Sequence, residues 1–159
     1  MIYSSAGDDL IQYFSGCLIY GGGSMRKITL ADSAGFCFGV KRAVDTALNM
    51  KEKYNNEIYT LGPLIHNTDV VGFLKDNSIF PIELDNISRL KENDTIIIRS
   101  HGVSEKTLNI LKETNLNVID ATCPYVANIH KKVKKYYDLG YHIIIVGDKN
   151  HPEVIGING

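Results

Sequence analysis

The chain has 159 residues, 44% of them hydrophobic and 22% charged, with a formal net charge of −1. That length suits one domain, or one domain and part of another. Near-neutral charge leaves no electrostatic footprint for nucleic acid, and no apolar run is long enough to span a bilayer, so neither partner is expected.

Residues Met1 to Ser24 differ in composition from the rest and end in Gly21-Gly22-Gly23-Ser24, directly before Met25. They read as a non-native extension, a linker, or a translated upstream segment, with the native start at Met25. Cys17 falls in that stretch. The three cysteines are few, odd in number and widely spaced. They do not form the pattern of a secreted disulfide scaffold, and the first residues lack a signal-peptide pattern. The expected location is therefore cytoplasmic, with reduced thiols.

From Met25 on, strands and helices alternate. Lys27 to Ala31 reads as a short buried strand, followed by the Gly35-Phe36-Cys37-Phe38-Gly39 turn and an amphipathic helix from about Val40 to Tyr54. A strand over Glu57–Leu61 ends at Gly62-Pro63. A helix over Thr68–Asp76 and a strand over Asp94–Ile98 come next. Ser104 to Thr114 opens with a capping residue and reads as a helix. The remaining pattern predicts a strand over Asn117–Asp120, a helix over Tyr125–Leu139 and a strand over His142–Val146. The basic run His130 to Lys135 falls within that last helix and reads as a solvated face.

Ile/Val-rich strands separated by helices indicate an α/β fold with a parallel sheet flanked by helices. Ligands of such sheets bind beyond the carboxyl ends of the strands. Cys37, His66, His101, Cys123 and His151 each follow a predicted strand, so they are expected to converge on one sheet edge.

The segments themselves carry chemistry. Cys37 lies between glycines at a helix start, where a helix N-terminus favours the thiolate; a buried structural cysteine is the alternative. Cys123 is followed by Pro124, a pairing that suits an iron–sulfur ligand at the first turn of a helix. Two thiolates alone do not hold a cubane. His66, His101 and His151, at equivalent strand ends, read as an anion site for a diphosphate. Zinc ligation is the competing reading, and the histidine spacing disfavours it. Glu153, two residues beyond His151, is a candidate general acid, or else a surface carboxylate near a helix start.

Taken in order, GFCFGVKRAVD, GPLIHN, SHGVS, DATCPYV and HPEVIG closely resemble the 4-hydroxy-3-methylbut-2-enyl diphosphate reductase (IspH/LytB) family, from Met25 to the last residue. The resemblance implies a trefoil of three α/β units around a central [4Fe–4S] cluster. Residues 25–123 would be the first unit and 124–159 the truncated start of the second. It implies that Cys37 and Cys123 are two of three cluster cysteines, the third lying outside this chain. His66, His101 and His151 would bind substrate, and Glu153 would deliver protons. The implied reaction is reductive dehydroxylation of 4-hydroxy-3-methylbut-2-enyl diphosphate to isopentenyl and dimethylallyl diphosphate, the last step of the non-mevalonate pathway. Ferredoxin or flavodoxin would donate the electrons. Since later family residues are missing, the chain is expected to be an incomplete fragment, inactive alone. The alternatives are another three-cysteine iron–sulfur dehydratase, or a phosphate- or metal-binding α/β module without catalysis.

Overall fold

A computed structural model describes residue 29, residues 31–32, 34–54 and 56–159. The expected extension 1–24, including Cys17, lies outside the described residues, as does most of the first expected strand. Its two described members, Thr29 and Ala31, carry no ladder pairing.

Four parallel strands form one sheet: β1 (Ile58–Leu61), β2 (Ile79–Ile82), β3 (Thr95–Ile98) and β4 (Asn117–Asp120). Their spatial order is β2-β1-β3-β4. Five helices accompany them among the described residues: α1 (Phe38–Lys53), α2 (Thr68–Asp76), α3 (Glu105–Lys112), α4 (Pro124–Asp138) and α5 (Pro152–Asn158). The parallel α/β architecture expected from the sequence is thus the one observed, with helix ends within a residue or two of the expected positions for α1, α2 and α4. None of the described helices is long and apolar enough to cross a membrane.

Period-two alternation in the strands gives the sheet two buried faces. On β3, Ile97 points into a cluster with Ala43, Val44 and Ala47 of α1 and Val70 and Leu74 of α2. Its neighbours Ile96 and Ile98 point the other way, into a cluster with Leu61, Val103 and Leu111. Both faces being covered explains why β3 is a run of isoleucines rather than an alternation.

Two elements escaped the sequence reading. β2 contains Pro81, which removes a ladder donor, and the sheet accommodates it by placing β2 at the edge. A 3₁₀ helix over Leu84–Arg89 follows it. One expected element is absent. His142–Val146 forms no ladder and is irregular, because no described strand lies alongside to take its hydrogen bonds. Ile144 and Val146 are left 83% and 94% exposed.

The register sets the carboxyl ends level: Leu61 is opposite Ile82 and Ile98, and Ile98 is opposite Asp120. The chain leaves β1 for β2 on one side and then returns to β3 on the other. The topological switch point, where α/β sheets open a crevice for ligands, therefore falls between β1 and β3.

Candidate functional site

His66 follows β1 and His101 follows β3, so the switch point brings these two together. Their ring centroids are 4.6 Å apart. His151 joins them at 6.2 Å from His66 and 6.1 Å from His101. The convergence expected for the histidines is therefore present. The route differs for His151, which reaches the group from an irregular segment and not from a strand end.

Local hydrogen bonds fix each ring's backbone. Asn67, next to His66, caps α2 by accepting from the amides of Asp69 and Val70, both at 3.0 Å. Ser100, next to His101, is buried and donates through Oγ to the Leu64 carbonyl at 3.3 Å, tying the two histidine loops to each other. Gly102 turns the chain with φ +71°, a left-handed conformation that suits glycine, and its amide donates to the Arg99 carbonyl. His151 caps α5: its Nδ1 accepts from the Glu153 amide at 3.3 Å. That assigns the proton to Nε2, which is left as a donor.

Electrostatically, burial holds the His101 imidazole below the ordinary histidine range, and the neighbouring His66 reinforces this. Glu153 opposes it, while Arg99 and His151 add to it. Glu153 is therefore within electrostatic reach of the three-histidine group. His101 Nδ1 is buried with no partner in the described chain, and so is Arg99 Nε. A neutral imidazole and a half-buried guanidinium with open donors make a site suited to an anion that brings its own acceptors. Burial also lowers the Arg99 pKa from its ordinary value.

Hydrogen bonds tie the two cysteine segments to the His101 loop. Cys37 is the N-cap residue of α1 and Cys123 that of α4, and neither is in a disulfide. The Cys123 amide donates to the Ser100 carbonyl at 2.8 Å, which joins the thiol loop to the His101 loop. Arg42 of α1 donates to the Thr122 carbonyl at 2.8 Å, drawing the first turn of α1 against the same loop. Gly39 in that turn has no Cβ, and one placed there would stand 2.5 Å from Cys123 Sγ. The glycines flanking Cys37 thus have different tasks. Gly35, at φ +139°, shapes the backbone, whereas Gly39 is helical and makes room for the second thiol.

The sequence reading missed Arg42, Arg99, Ser100 and His130. Arg42 and Ser100 stood within segments already singled out, and Arg99 directly precedes one. Arg42 acts through a carbonyl 80 positions away, which leaves no local signal. Among the described residues, no group of three His, Cys, Asp or Glu side chains is arranged to hold a metal ion. The cysteine pair therefore offers two ligands and no third.

The family model described as LytB protein matches residues 28–159. A 4-hydroxy-3-methylbut-2-enyl diphosphate reductase of Clostridium acetobutylicum is 64% identical over 135 residues, covering 85% of this chain and 21% of its own length. One from Clostridium perfringens (strain 13 / Type A) is 61% identical over 134 residues, covering 84% of this chain and 48% of its own length. This chain therefore spans half or less of the length of these relatives. A solved structure of (E)-4-hydroxy-3-methyl-but-2-enyl diphosphate reductase, the terminal enzyme of the non-mevalonate pathway, superposes with a TM-score of 0.72 at 47% identity. It covers 82% of this chain and 46% of that one. The E-1-hydroxy-2-methyl-but-2-enyl-4-diphosphate reductase of Plasmodium falciparum gives a TM-score of 0.75 at 34% identity, covering 79% of this chain and 39% of that one. With a family model spanning most of its length, a shared fold and the ordered segments in place, the chain belongs to the LytB protein family.

Proposed function

We propose that this chain supplies the diphosphate-binding and proton-donating part of a reductase. That enzyme would convert 4-hydroxy-3-methylbut-2-enyl diphosphate to isopentenyl and dimethylallyl diphosphate. The observation that carries the reading is the meeting of His66, His101 and His151 at the sheet's switch point. Residues 25–123 form the first α/β unit in this reading, and 124–159 open a second unit of a three-unit trefoil.

Cys37 and Cys123 would hold two corners of a [4Fe–4S] cluster. The fit rests on two thiols outside any disulfide, each capping the N-terminus of a helix, and on the space that Gly39 leaves for Cys123 Sγ. Residues 34–159 contain no further cysteine, so the third thiolate comes from outside them. When bound, the cluster supplies two electrons and an open Lewis-acidic iron, recharged by a small electron carrier such as ferredoxin or flavodoxin.

The chain's own residues do the rest. The diphosphate accepts hydrogen bonds from the three imidazoles, and the Nε2–H of His151 is already directed to donation by its Nδ1 contact. A phosphate oxygen next to His101 favours protonation of that imidazole, which gives a charge-assisted bond in a half-buried place. Anchored at that end, the alkenyl group is held in one orientation. Glu153, within reach of His101, passes its proton to the leaving hydroxyl, which departs as water. A second proton, taken from solvent, adds at either end of the allyl group and gives the two products.

Anaerobic turnover by the cluster-loaded full-length protein tests the assignment. Glu153→Gln is expected to lower product formation by about 100-fold, within the range for a lost acid–base group, with cluster absorbance unchanged. Product formation at the original rate in Glu153→Gln would remove the acid role.

A further inference from the structure

His130 lies in the basic run that the sequence presents as a solvated face. The structure instead turns its ring inward from α4, with Nε2 buried. The ring edge meets two glycine backbones. A Cβ on Gly102 would lie 3.4 Å from His130 Cε1 and 3.6 Å from Nε2, and one on Gly156 would lie 3.2 Å and 3.5 Å from the same atoms. At Gly156 a side chain would press on the ring, whereas at Gly102 it would make ordinary contact with the ring and crowd the Thr122 methyl at 3.1 Å.

The two glycines belong to the pieces that make up the candidate site. Gly102 immediately follows His101. Gly156 stands three residues after Glu153 on α5, whose N-cap is His151. The helix that carries His130 begins at Cys123. One imidazole therefore touches the His101 loop and the His151–Glu153 helix, from the helix that starts at the candidate cluster ligand.

His130 Nε2 has no hydrogen-bond partner in the described chain. Burial holds its pKa below the ordinary histidine value, with Glu153 and Asp120 opposing. The ring is thus mainly neutral near pH 7 and adds little charge beside the anion site. What remains is its shape: the Cε1–Nε2 edge packs against two backbones that approach it closely because both are glycine.

We propose that His130 is a positioning residue: its imidazole, wedged between Gly102 and Gly156, sets the separation of the His101 loop from the helix bearing His151 and Glu153. Its consequence for anion binding rests on the diphosphate reading given above.

The test uses the full-length protein with His130→Ala, His130→Phe, Gly156→Ala and the His130→Ala/Gly156→Ala pair. Two readouts are followed: binding of inorganic pyrophosphate by calorimetry, and the titration midpoint of His101 by NMR. His130→Ala is expected to weaken pyrophosphate binding about tenfold, the scale of a misplaced contact in a preorganised site. It should also raise the His101 midpoint by roughly 0.5 unit, because the loosened loop loses burial, the largest cause of its depression. Gly156→Ala should weaken binding about fivefold by displacing the ring. The double variant should fall within about threefold of the worse single one, since removing the ring makes room for the new methyl.

His130→Phe keeps a flat ring between the glycines and should stay within about threefold of the original affinity. It also carries the test if His130→Ala does not fold. An unchanged His101 midpoint and unchanged pyrophosphate affinity in folded His130→Ala would overturn the proposal, as would fully multiplicative effects in the double variant. If the unsubstituted protein binds no pyrophosphate, the diphosphate reading falls. The His101 midpoint then decides the role of His130 by itself.

Discussion

A Cβ on residue 39 would stand 2.5 Å from the Sγ of Cys123, so the first turn of α1 and the N-cap residue of α4 share one packing space. Gly39→Ala is expected to destabilise by about 1–3 kcal/mol through overpacking, against a gain of roughly 0.5–1 kcal/mol in helix propensity. The double variant with Cys123→Ala should recover part of the net loss, since it removes the 2.5 Å contact with Sγ and keeps the 2.9 Å one with the Cys123 Cβ. Urea unfolding of the four species measures this coupling. Additive effects would mean that the two residues do not compete for space.

The cap on α2 holds the chain next to His66. Asn67→Ala removes an acceptor used by two amides and should cost about 1 kcal/mol. It should also loosen the backbone on which His66 is mounted, which pyrophosphate titration would register as weaker binding. Asn67→Asp or Ser restores an acceptor and should recover both properties.

Acidification should destabilise the fold. Burial lowers the pKa of both His101 and His130, so below the unfolded histidine value of about 6.5 the unfolded chain binds more protons than the native one. Stability from these groups is fully present above that value and falls as the pH drops through it. The urea midpoint should therefore be lower at pH 5 than at pH 7.5. The difference should shrink in His130→Phe, which removes one of the two groups.

Anion binding should have the opposite slope. A diphosphate beside His101 stabilises the imidazolium, so pyrophosphate affinity should increase as pH falls from about 8 to 6, and binding near neutrality should take up protons from the buffer. Calorimetry in buffers of different ionisation enthalpy measures this. Release of protons would contradict a histidine-based site.

The irregular segment His142–Val146 leaves Ile144 and Val146 facing solvent, alongside the exposed Tyr137, Leu139 and Tyr141. A patch of this kind promotes association. This chain should sediment with a concentration-dependent oligomeric component. Ile144→Lys combined with Val146→Lys should lower that component, without loss of stability in the β1–β4 sheet.

The sequence alone determined the local structure and the family. Isoleucine runs at β3 and helical spacing of apolar residues in the helices follow from burial of side chains near in the chain, so strand and helix positions were legible. The cysteine and histidine segments were legible because each stands at an element end, where the backbone turns and a ligand has access. Tertiary structure decided what depends on residues far apart. Pro81 signals only the end of a strand until the sheet order places β2 at an edge. His142–Val146 has every local mark of a strand, but a strand exists only through a neighbour's hydrogen bonds, and none of the described strands supplies them. Gly39 reads as a turn residue ahead of a helix, and Gly156 carries no signal of its own. Their meaning lies in Cys123 and His130, whose atoms fill the space where a methyl group would stand. Distance along the chain hides such contacts, because steric exclusion between two elements leaves no periodicity in either.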